Sequence, residues 1–100
     1  MDSPVNEIYA AVGDACFYTP AGGLEQATPI FVAVDLRPGD ALSGEQVSTR
    51  YEVRGPAASF GGQIKRGARF RVKGVTYEAT AHGQPFNAGD ELAVPAKAVS

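Results

Sequence analysis

The chain has 100 residues, 44% of them hydrophobic and 20% charged, with a formal net charge of −2. That is enough for one small folded domain with a shallow core, and it is unlike a disordered segment. One Cys, one His and no Trp exclude a disulfide framework, a Cys/His zinc site and a CxxC redox motif.

The N-terminal stretch reads as a helix over 3–13. Ser3 can cap it, Pro4 suits the first helical position, and Glu7 stands near the positive end of its dipole. Val5, Ile8, Tyr9 and Val12 share one apolar face at i, i+3, i+4, i+7 spacing, and Gly13 is placed to end the helix in a left-handed cap. So short a helix is unstable alone and must dock on the body or order against a partner.

From Asp14 the period changes from 3.6 to 2. Asp14 to Tyr18 is a short strand holding Cys16, which its apolar neighbours mark as a buried, reduced thiol of a cytosolic protein. After the turn Thr19 to Gly23, the β-branched run Pro29 to Asp35 forms a second strand. Leu36 to Glu45 is expected to be a long polar loop, and Gln46 to Arg54 an alternating strand with Val47, Thr49, Tyr51 and Val53 on one face. Gly55 to Gly62 reads as a second mobile loop anchored by Phe60. A hairpin follows, with Arg69 to Lys73 and Val75 to Ala81 as its arms and Gly74 at a turn whose type the sequence leaves open. His82 to Asp90 is a turn-rich link, and Glu91 to Pro95 a last strand. The expected fold is mainly β: a small barrel or sandwich of six or seven short antiparallel strands with one N-terminal helix, in a single domain over 1–100.

No catalytic constellation is evident, and no enzyme, cofactor or metal site is expected. His82 has no acid beside it to orient it, and Asp90 and Glu91 are adjacent, so on a strand they face opposite ways. Asp14 and Asp35 lack the spacing of a metal loop, and neither Gly22-Gly23 nor Gly61-Gly62 opens a phosphate loop. No signal peptide or membrane span is evident.

Charge is unevenly spread. Residues 1–46 carry seven acids against Arg37 alone, a net of −6, while 47–100 carry eight bases against four acids, a net of +4. Five bases cluster at Lys65, Arg66, Arg69, Arg71 and Lys73, and alternation puts the last three on one face of a strand. Such a stripe suits head-to-tail stacking of subunits or the phosphates of DNA, although no aromatic platform for bases lies on that face.

The pattern as a whole resembles the small head–tail joining (connector) proteins of lambda-like tailed phages and prophages. The likeness runs through GDACFYTPAGG, PIFVAVD and QVSTRYEVR, and is densest in IKRGARFRVKGVTYEATAHGQPFNAGDELAVPAKAV, where Arg66-Gly67 precedes the hairpin. The resemblance implies a structural virion protein that forms a ring, usually hexameric, at the neck. It would be assembled in the bacterial cytoplasm, with head or portal proteins on one side, tail proteins on the other, and DNA passing through without sequence recognition. Tail-terminator and tail-tube proteins are near alternatives, and a small nucleic-acid-binding barrel using 65–73 is another. The expected contact regions are the N-terminal segment, the basic residues Lys65, Arg66, Arg69, Arg71 and Lys73, Leu36, Arg37 and Asp40 in the loop 36–45, and Phe60 in the loop 55–62.

Overall fold

The computed structural model describes residues 4–37 and 50–99. Helix α1 (Pro4–Val12) is followed by seven strands: β1 (Asp14–Thr19), β2 (Ile30–Arg37), β3 (Arg50–Pro56), β4 (Arg69–Val72), β5 (Val75–Ala79), β6 (Gln84–Phe86) and β7 (Glu91–Ala98). Six of them close into an antiparallel barrel in the order β3-β2-β1-β4-β5-β7, with β7 returning to β3. The closing strand is shared three ways. One edge pairs with β3 from Glu91 to Ala96, while the other pairs first with β6 and then, from Ala96 onward, with β5.

The alternation seen in the sequence decides which side chains fill this barrel. In β4, Phe70 and Val72 point in while Arg69 and Arg71 point out, and Val32, Val53 and Val94 are wholly buried on three neighbouring strands. Part of the core is aromatic. Tyr18 stacks on Phe70 at 5.4 Å between ring centroids, and Phe60 meets both edge-on, at 5.1 and 6.0 Å. Such pairs add about 0.5–1.5 kcal/mol each beyond the area they bury.

Phe60 reaches the core from a segment expected to be a mobile loop. Gly55 and Pro56 instead complete β3 opposite Leu92 and Glu91, and Ala57–Phe60 form a 3₁₀ turn. Gly55 permits the close approach: a Cβ there would lie 2.9 Å from the Phe60 ring. The sequence obscured this because glycine and small residues also mark loops. Of the other expected loop, Leu36 and Arg37 instead extend β2 and pair with Tyr51 and Arg50. The rest of that loop, Asp40 included, lies outside the described residues, as does the expected strand before Arg50.

The other corrections are local. The link His82 to Asp90 contains β6, which Pro85 disguised because proline is rare in sheets away from an edge. The last strand runs on to Ala98, and the return arm of the hairpin stops at Ala79. The hairpin turn is of type I′, with positive φ at both Lys73 (51°) and Gly74 (79°). Gly13 makes no left-handed cap. Its amide donates to the Tyr9 carbonyl, and its lack of a side chain lets the helix end lie against β2, where a Cβ would meet the Val32 carbonyl at 2.9 Å. Tyr9 is buried, whereas Ile8 and Val12, expected on the same docked face, are 57% and 78% exposed.

Asn87, Ala88 and Gly89 all have positive φ. Alanine is disfavoured there by its Cβ. Ala88→Gly should therefore raise stability by up to ~1 kcal/mol, less the entropy that glycine adds to the unfolded chain. Phe60→Ala should lower it by about 3–5 kcal/mol. Denaturant titration measures both; a Phe60→Ala loss under about 1 kcal/mol would mean that the ring is not part of the core.

Candidate interaction surface

Arg69 and Arg71 lie where alternation puts them, on the outward face of β4, while Lys73, expected on the same strand, stands in the hairpin turn, and all three are exposed. Each of the three is matched by a carboxylate. Arg69 pairs with Glu78 at 3.3 Å on the facing strand, and Lys73 with Asp14 at 3.2 Å at the start of β1. Arg71 holds Glu25 in a two-point fork, Nε to Oε2 at 3.1 Å and Nη2 to Oε1 at 3.0 Å. Its guanidinium also lies over the Phe17 ring, 4.6 Å from the centroid. A fourth pair, between Arg54 and Asp35, joins β3 to β2.

Three of these pairs, Arg54–Asp35, Arg71–Glu25 and Lys73–Asp14, join the acidic N-terminal half to the basic C-terminal half. Three acids of the N-terminal half thus meet bases of the C-terminal half within one molecule, and Arg69, Arg71 and Lys73 do not form an open positive face. Neighbouring strands brought distant charges together, which composition cannot reveal. Lys65 and Arg66 are exposed on the loop before the hairpin. Phe60 is buried and cannot offer its ring to a partner; Arg37 is placed only by its backbone pairing in β2.

A second polar cluster ties α1 to the barrel. The Tyr9 hydroxyl donates to Glu91 Oε1 at 2.6 Å, and Asn87 Nδ2 donates to Glu91 Oε2 at 3.0 Å. Burial first, and Glu91 second, push the Tyr9 hydroxyl above its ordinary pKa, so it remains a donor at neutral pH. Glu91 thus fastens a helix, while Asp90 and His82 are exposed. Cys16 is fully buried, and that burial pushes its thiol up to about 12.

The N-terminal segment and Leu36, both expected to make contacts, carry exposed apolar side chains. Beside Ile8 and Val12 on α1, Leu36 on β2 is 67% exposed and Leu24, in the loop between β1 and β2, is 88% exposed, with Phe31 of β2 partly so. Helix α1 packs on β2 and β3, so Ile8, Val12, Phe31 and Leu36 belong to adjoining elements. The contrast between the buried Tyr9 and the exposed Ile8 and Val12 of the same stripe needs the fold to be seen. Among the described residues no helix is long and apolar enough to cross a membrane. No family model, curated protein or solved structure matches the chain.

Two outcomes follow from the titrating groups. The Arg71 hydrogen bonds hold the Glu25 carboxyl below its usual range. A lowered folded-state value means that the pair stabilises the fold above the ordinary Glu pKa of about 4.3, and that this contribution is lost as pH falls through the folded-state value. The melting-temperature gap between the parent and Glu25→Gln should be present at neutral pH and close in acid; a gap independent of pH would show that the ion pair does not stabilise the fold. Cys16 should resist a thiol reagent in the native protein and react on unfolding, so rapid native labelling would contradict its burial.

Proposed function

We propose that the chain is a structural subunit that assembles into a ring at the neck of a tailed phage or prophage, joining the DNA-filled head to the tail. The sequence pattern supplies the resemblance, and the observation that carries the reading is the apolar surface left uncovered on α1 and β2. Ring closure needs a heterologous contact, in which one patch of a subunit meets a different patch of its neighbour. Ile8 and Val12, one helical turn apart and opposite the docked Tyr9 in role, give such a contact an apolar centre. Charge stacking between an acidic and a basic half does not support the reading, because those charges already pair within the subunit.

The test is assembly. The parent chain should form closed rings at high concentration or when added to heads, seen by light scattering and negative-stain microscopy, and should restore the joining of heads to tails in a connector-deficient lysate. Ile8→Asp with Val12→Asp should abolish both while leaving the melting temperature within a few degrees, since both side chains are exposed. A parent that stays monomeric and fails to join heads to tails would overturn the proposal.

A further inference from the structure

The ion pairs on the hairpin face are not equivalent. Glu78 and Asp14, the partners of Arg69 and Lys73, belong to strands of the barrel wall and are fixed there. Glu25 belongs to the connection between β1 and β2, which includes the turn at Pro20–Gly23 and the exposed Leu24. It crosses to the outer face of the barrel and places both carboxylate oxygens on Arg71. This is the geometry in which an arginine fork receives a carboxylate or a phosphate. Phe17 lies beneath the guanidinium, and an open cavity of ≈ 290 Å³ beside it is lined by Thr19, Arg69 and Thr76 as well as Glu25 and Arg71.

The same connection lies beside the other cations. Pro20, Ala21 and Gln26 line a second cavity together with Gln63 and Lys65. The segment bearing Glu25 therefore stands between Lys65 on one side and Arg71 on the other. Moving it aside would free Arg71, while Arg69 and Lys73 keep their partners Glu78 and Asp14.

We propose that the outer face of β4–β5 is a binding site for the phosphate backbone of a nucleic acid, and that Glu25 occupies its central position in the free chain as an internal stand-in for phosphate. The occupied state is electrically neutral at Arg71, so the parent chain binds DNA weakly. An incoming strand displaces Glu25, places a phosphate in the Arg71 fork, and reaches toward the exposed Lys65 and Arg66. Recognition is of backbone charge, without base readout. The site is a property of the single subunit and stands or falls independently of ring formation.

The experiment is fluorescence anisotropy with a short labelled DNA duplex at low salt, with the folded state of each variant checked by thermal unfolding. Glu25→Gln, or Glu25→Ala if the Gln amide still engages Arg71, should bind at least about tenfold more tightly than the parent. Adding Arg71→Gln should abolish the gain, and raised salt should weaken it steeply. Asp90→Asn removes one negative charge elsewhere and should bind as the parent does. The proposal fails if the Glu25 variants bind no better than the parent, if the gain survives Arg71→Gln, or if Asp90→Asn reproduces it. It also fails if polyglutamate competes as well as DNA, since the fork would then serve an acidic protein.

Discussion

The pairing of β7 with β3 is the constraint on which the rest of the molecule depends. Without it the six strands would be an open sheet with two long unpaired edges, and the side chains on its inner face would have nothing opposite them. With it, Val53 and Val94 face each other in register and are both fully buried. The aromatic group of Tyr18, Phe60 and Phe70 then has walls on all sides. Closure joins strands far apart in the chain, so little of the core forms until the topology is complete. Local preferences shape the hairpin and the helix; the long-range ladder makes them one structure.

Closure also redistributes charge. In sequence the molecule is an acidic half joined to a basic half, a form that invites electrostatic stacking. In the barrel those halves interleave, and acids on β1, β2 and their connection lie against bases on β3, on β4 and in the hairpin turn. Exposed ion pairs of this kind contribute little to stability singly. Their larger effect is on what the surface presents to others: the paired charges are spent internally, and the exposed apolar side chains of α1 and β2 become the more distinctive surface.

Much of the fold was legible because alternation and glycine placement are local signals. The strands around Cys16, Val32, Val53 and Phe70 stand out from their neighbours, and Pro4 with Tyr9 places the helix. Features set by tertiary approach were not legible. Gly55 and Gly13 read as loop and cap, yet each is small because another part of the chain comes too close for a Cβ. Pro85 concealed a strand, and the composition of 55–62 concealed the aromatic side chain that fills the core. The basic stripe could be located from spacing, but not its neutralisation, because Glu25 is 46 residues away from Arg71. For α1 the sequence left docking on the body and contact with a partner both open, because periodicity says that residues share a face and only the fold says which of them are covered.

The short strand β6 has a consequence for behaviour at high concentration. Because the barrel is closed, β6 is the described strand with a partner on one side alone. A free edge is where sheets of different molecules join into aggregates. This one is three residues long and has Pro85 at its centre, which supplies no amide hydrogen to a ladder. Substituting Pro85 would restore a donor to the edge, and the molecule would lose a guard against sheet-to-sheet growth while keeping its barrel intact.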